Sequence, residues 1–156
     1  MKKVQIYTDG ACSGNPGKGG YGAVLLYNGA RKELSGSYLL TTNNRMEIMG
    51  VIRALEALKE PCEAEIFTDS KYVVDAIEKG WVKKWRSNRW MRNKSDPAVN
   101  VDLWEALLAL LSEHNAWFTW VKGHADNVEN ERCDLLAREA IKSGPHLNDE
   151  GYGRSN

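Results

Sequence analysis

Long apolar runs are missing from this chain of 156 residues, and so is any excess of charge of one sign. The apolar stretch Leu103–Leu111 is short and interrupted by Glu105, so nothing reads as a membrane span. Behind Lys2 and Lys3 there is no apolar segment of the kind a secretory leader needs. Cysteine is scarce and odd in number. Cys12, Cys62 and Cys133 lack any C-x-x-C spacing, which excludes a disulfide frame or zinc site and predicts reduced thiols in a cytoplasmic protein. A nucleotide-binding P-loop is absent too. Gly17-Lys18 imitates one, but Cys12 stands five residues earlier and Gly19 occupies the Ser/Thr position. The glycine-rich stretch Gly10–Gly20 reads instead as a turn that lets backbone approach a ligand. No linker divides the chain, so residues 1–156 are expected to form one domain.

The charges that are present are unevenly spread. Lys plus Arg number 21 and Asp plus Glu 21, so the net charge is uninformative about partners. Between Lys79 and Lys94, however, there are seven basic residues, three tryptophans and no acidic residue.

Two stretches echo each other: Ile6-Tyr7-Thr8-Asp9-Gly10 and Ile66-Phe67-Thr68-Asp69-Ser70. Each is a short β-rich run ending in an aspartate and a turn residue. If the two strands are parallel neighbours, Asp9 and Asp69 emerge side by side about 5 Å apart, at the sheet edge where ligands bind. Each aspartate alone is explained by turn or cap chemistry. Two together at that spacing and an effective dielectric near 20 repel by about 3 kcal/mol, so a shared proton or a metal ion is needed to offset them.

Hydrophobic periodicity supplies the remaining frame. Strands are predicted at Val4–Thr8, Tyr21–Tyr27, Lys32–Leu40, Glu63–Thr68 and Trp117–Val121, the first three as an antiparallel meander. Helices are predicted from Asn43 or Asn44 to about Leu58, over Lys71–Glu78, Asn100–Ser112 and Glu129–Lys142. The basic segment is expected to be part helix and part loop, and Gly144-Pro145 to leave a frayed tail. This order argues for an α/β fold with one mixed sheet and helices on both faces.

Two further carboxylates sit on helices. Glu47 can be read as the far end of a capping box begun at Asn44, yet it shares a face with Val51, Ala54 and Leu58. Asp134 shares a face with Ala137 and Ile141, although acidic residues near a helix start are favoured by the dipole alone. Two strand-end aspartates and two helix-edge carboxylates jointly suit a hard divalent cation, Mg²⁺ or Mn²⁺. His124 follows the last predicted strand after Gly123, where it is placed to shuttle protons.

These residues carry a resemblance. The stretches Tyr7–Gly17, Thr41–Glu47, Thr68-Asp69-Ser70, Trp120–His124 and Asn130–Asp134 are similar, in order, to the motifs of type 1 ribonucleases H of bacterial kind. The resemblance runs from about Gln5 to Gly151. It implies a ribonuclease H-like fold with a five-stranded sheet in the order 3-2-1-4-5, strands four and five parallel to strand one. It implies hydrolysis of the RNA strand of an RNA–DNA hybrid, leaving 3′-hydroxyl and 5′-phosphate ends, by a monomeric enzyme. Asp9, Glu47, Asp69 and Asp134 would hold two Mg²⁺ ions, for which Mn²⁺ can substitute, and His124 would assist proton transfer.

The resemblance also assigns substrate contacts. Cys12, Asn15, Asn43 and Asn44 would approach the minor groove, where 2′-hydroxyls distinguish RNA from DNA. Thr42, Arg45 and Trp85 would grip a phosphate of the DNA strand. The basic segment would lie along that strand, with Trp81, Trp85 and Trp90 lining it and Lys83, Lys84, Arg86 and Arg89 supplying charge. Lys71 stands where many bacterial relatives carry Gln, and a cation there suits a phosphate. Two other readings remain: a DNA nuclease or strand-transferase of the same fold, and a hybrid-binding module without catalysis. The first would lack the Asn43-Asn44 element and the tryptophan-rich segment. The second would lack one of the acidic residues, and all are present.

Overall fold

The computed structural model describes residues 1–123 and 127–153. Its centre is one mixed sheet built from β1 (Lys2–Ser13), β2 (Gly17–Tyr27), β3 (Ala30–Thr41), β4 (Cys62–Thr68), β5 (Asn115–Trp120) and β6 (His146–Leu147). The strand order is β5-β4-β1-β2-β3-β6. β1, β2 and β3 are antiparallel, while β4 runs parallel to β1 and β5 parallel to β4. The expected order of the first five strands is therefore present. The sixth strand is a difference: Ser37 donates its hydroxyl to the Pro145 carbonyl, and His146 and Leu147 then pair with Ser37 and Tyr38. Residues 145–147, at the start of the expected tail, are thus tied to the sheet edge rather than frayed.

Among the described residues five helices complete the fold: α1 (Asn43–Glu56), α2 (Lys71–Glu78), α3 (Trp81–Ser87), α4 (Val101–Leu111) and α5 (Val128–Ser143). The apolar stripe of α1, with Ile48, Val51, Ile52 and Leu55, is buried together with Val4 and Ile6 of β1 and the fully buried Trp104 of α4. Strand alternation puts Tyr7 and Phe67 on the opposite face, where their rings stack 4.5 Å apart across β1 and β4.

The glycine-rich stretch is not a loop. β1 continues to Ser13 and β2 begins at Gly17, with Cys12 paired to Gly19 and Ala11 to Gly20. Gly20 within it and Gly22 just beyond it instead solve a packing problem, because α5 lies directly on β2. A Cβ at Gly22 would strike the Cys133 carbonyl, and one at Gly20 would come within 2.8 Å of the Ala137 carbonyl. The helix starts also depart from expectation. Thr42, not Asn43 or Asn44, caps α1, its hydroxyl accepting from Arg45 N–H. Asn100 precedes α4 in a left-handed conformation and gives it no side-chain cap. Among the described residues, no helix is long and apolar enough to cross a membrane.

Candidate active site

The register Thr8↔Thr68 brings the two echoing strands to the same edge, so Asp9 and Asp69 leave the sheet as neighbours. Glu47 joins them from α1. Its approach depends on Gly10: a Cβ there would lie 2.5 Å from the Glu47 backbone nitrogen and 2.9 Å from its Oε1. One carboxylate oxygen from each of Asp9, Glu47 and Asp69 lies within 4.8 Å of the others. Asp9 and Glu47 are each 6% exposed. With Thr42 as the cap, Glu47 lies beyond the reach of a capping box, so local helix chemistry does not explain it.

Electrostatics set this cluster apart from ordinary surface acid groups. Burial, followed by the negative charges of Asp69 and Asp134, raises the Asp9 pKa to about 8. Burial, then Asp9 and Asp69, pushes Glu47 well above the usual carboxylate range. Among the described residues Glu47 Oε1 is buried without a hydrogen-bond partner, which is costly for a polar atom. Oxygen-only donors, mutual repulsion among the carboxylates and a buried acceptor without a partner among the described residues all fit a hard divalent cation.

Asp134 stands slightly apart. It is not among the three residues that converge, and its Oδ2 accepts from Arg138 Nε at 2.9 Å one turn along α5. Its charge is nevertheless felt at Asp9. His124 lies outside the described residues. Gly123, which precedes it, lies against the acidic cluster, since a Cβ there would come within 2.7 Å of Asp69 Oδ2.

The proposed substrate contacts fall into three groups. At the tip of the β1–β2 hairpin Asn15 is exposed, and its side-chain oxygen accepts from Asn43 N–H at 3.1 Å. Asn15, Thr42, Asn43 and the exposed Asn44 therefore form one edge, beside the half-buried Cys12, whose thiol faces the Gly17 and Thr41 carbonyls. On the other side of the carboxylates Lys71 places its ammonium 5.3 Å from the Trp120 ring centre. The third group is the basic segment, where Lys83, Lys84, Arg86 and Arg89 are all exposed. Trp81 is 40% exposed under Lys79, whereas Trp85 and Trp90 pack against the core.

One expected contact needs correction. Arg45 is buried, and all five guanidinium N–H donors have partners within the protein. Nε and Nη2 donate to Asp149, Nη1 and Nη2 to Asp102, and Nη1 also to Asn100. In this arrangement Arg45 has no donor left for a phosphate.

Two residues near the site were not singled out from sequence. Trp120 is exposed and donates from Nε1 to the Asp69 carbonyl. Its place at the head of the Trp120–His124 stretch was the signal that could have marked it. Asn100, at the predicted start of a helix, joins Arg45 to the Tyr72 hydroxyl. Nothing local in the sequence marks that role.

A family model described as RNase H matches residues 1–142. Among curated relatives, the ribonuclease H of Desulforamulus reducens is 63% identical over 147 residues, covering 94% of this chain and 92% of the relative. Ribonuclease HI of Synechocystis is 59% identical over 152 residues, covering 97% and 95%. Among solved structures, LC9-RNase H1, a type 1 RNase H with the type 2 active-site motif, superposes with a TM-score of 0.81 at 31% identity, covering 91% and 73%. LC11-RNase H1, solved in complex with RNA/DNA hybrid, gives a TM-score of 0.69 at 27% identity, covering 89% and 96%.

Proposed function

Because this chain belongs to the ribonuclease H family, we propose that it is an endoribonuclease that cuts the RNA strand of RNA–DNA hybrids at the Asp9–Glu47–Asp69 cluster, leaving 3′-hydroxyl and 5′-phosphate ends. The observation that carries this reading is the convergence of three carboxylates from three separate parts of the chain, with Glu47 Oε1 buried and without a partner among the described residues. Such a group is unfavourable unless a cation completes it. Two Mg²⁺ ions, or Mn²⁺ in their place, are the cofactors we assign. When bound, divalent ions lower the pKa of an attacking water and stabilise the leaving oxygen. Asp9, Glu47 and Asp69 would hold them, with Asp134 as a fourth ligand once it turns away from Arg138.

The chain's own residues do the rest by position and charge. Asn15, Asn43 and Asn44 each carry a side chain able both to donate and to accept, which suits a 2′-hydroxyl. Thr42 and Cys12 border the same edge. Lys71 and the exposed cations Lys83, Lys84, Arg86 and Arg89 would meet phosphates, with Trp81 the most exposed tryptophan of the basic segment. Trp85 and Trp90 would support that surface from beneath. His124 would accept or return a proton at the reacting oxygens. We read the chain as a single-domain, monomeric, cytoplasmic enzyme.

A labelled RNA–DNA hybrid, with duplex RNA, duplex DNA and single strands as controls, tests this directly. Cleavage of only the RNA strand of the hybrid, lost on chelation and restored by Mg²⁺, is expected. Undiminished cleavage in chelator, or equal cutting of duplex DNA, would overturn the reading.

A further inference from the structure

Arg45, Asp102 and Asp149 come from α1, α4 and the segment after β6, and their geometry is more specific than a surface ion pair. Asp149 is the deep partner: its side chain is 3% exposed, against 38% for Asp102, while that of Arg45 is 1% exposed. Asp149 Oδ2 also accepts from the Thr41 hydroxyl at 2.6 Å, so one carboxylate holds both Thr41 and Arg45. Between those two residues lies the turn that carries Thr42, Asn43 and Asn44. The backbone N–H of Arg45 closes the Thr42 cap. Gly151 then lies over the ion pair so closely that a Cβ would strike Asp102 Oδ2 and come within 2.9 Å of Arg45 Nη2.

We propose that Asp149 is a positioning residue for hybrid binding, acting through Thr41 and Arg45 to hold the Thr42–Asn44 turn against Asn15. The inference rests on the reading of that turn as a hybrid-binding edge. Asp149 itself is buried against Thr41 and Arg45 and is not among the proposed metal ligands. Loosening it lets the turn sample other orientations, so binding must first select the competent one. The effect therefore falls on affinity and spares the chemical step.

The test compares Asp149→Asn and Gly151→Ala with Val4→Ala, a cavity-forming control at the opposite end of β1. All are assayed on hybrid in Mg²⁺, well below the melting temperature of each. For the first two, KM should rise by roughly five- to ten-fold with kcat within about two-fold, while the control leaves both unchanged. The amide resonances of Asn43 and Asn44 in the free protein should also shift in the first two variants and stay in place in the control. Unmoved resonances overturn the inference whatever the activity, and so does an unchanged KM or a KM rise shared by the control. Failure of the wild-type chain to cut hybrid would instead overturn the proposed function, because the resonance comparison needs no substrate.

Discussion

At the scale of single residues, the site is a place where protein stability opposes function. Asp9, its pKa raised to about 8, and the similarly raised Glu47 bind protons more tightly in the folded than in the unfolded chain. The contribution of such groups is therefore fully present below about pH 4 and is lost as pH rises toward 8, because the unfolded carboxylates ionise first. In metal-free protein we expect Asp9→Asn to raise the melting temperature by roughly 2–6 °C near pH 8, with the gain shrinking toward pH 4. Calorimetry across that range checks it; a gain independent of pH would contradict the charge crowding. Two glycines act at the same scale. Gly10→Ala should push Glu47 away from Asp9, and Gly123→Ala should press on Asp69. Each is expected to lower activity by about ten-fold or more and to raise the metal concentration for half-activity, as displaced ligands do. A metal titration of activity, with circular dichroism to verify folding, separates this from simple unfolding.

At the scale of elements, the basic segment is a folded device. After α3 the chain turns through Arg89 and Trp90, both at positive φ, and Trp90 N–H returns to the Trp85 carbonyl at 2.7 Å. Ala98 N–H then donates to the Trp90 carbonyl, closing the segment on itself. This frame leaves Lys83, Lys84, Arg86 and Arg89 projecting while Trp85 and Trp90 anchor it. Neutralising the four cations together should raise KM and leave kcat nearly intact, with the log–log salt slope falling by close to one unit for each phosphate that the variant no longer neutralises. Trp85→Ala should instead lower the melting temperature, since it removes an anchor. An unchanged salt slope in the four-fold variant would make the segment a mere solvated face.

The same elements show why sequence was informative in some places and silent in others. The two aspartates were legible because strand period and turn residue repeat twice, and period fixes which side chains share a face. Gly10–Gly20 was misread because glycine signals both turns and close approach. Only the placement of α1 against Gly10 and Gly19, and of α5 against Gly20, decides between them. The cap of α1 shifted because Thr42, Asn43 and Asn44 are all competent caps, whereas Asn100 keeps its place before α4 but turns its side chain to Arg45 and Tyr72, partners far away in sequence. The Arg45 network links residues 45, 100, 102 and 149, and no periodicity connects those positions.

At the scale of the whole molecule, that network joins parts of the chain which the sheet does not. Arg45 sits under α4 and the C-terminal segment, so α1, α4 and the chain end become interdependent. Removing one partner from a buried ion pair costs about 3–5 kcal/mol, because the other charge remains without water or counterion. Arg45→Met should strand Asp149, while the more exposed Asp102 recovers solvent. For a chain of this size about 2–4 °C is lost per kcal/mol, so a fall in melting temperature of roughly 10 °C is expected. The double change Arg45→Met with Asp149→Leu removes the stranded carboxylate together with its partner. It should therefore be less destabilised than Arg45→Met alone, a sign reversal that independent contacts cannot produce. Melts of the two single variants and the double variant at one pH provide the test. If their losses simply add, the three charges are separate surface contacts, and the interdependence of helix, helix and chain end fails with them.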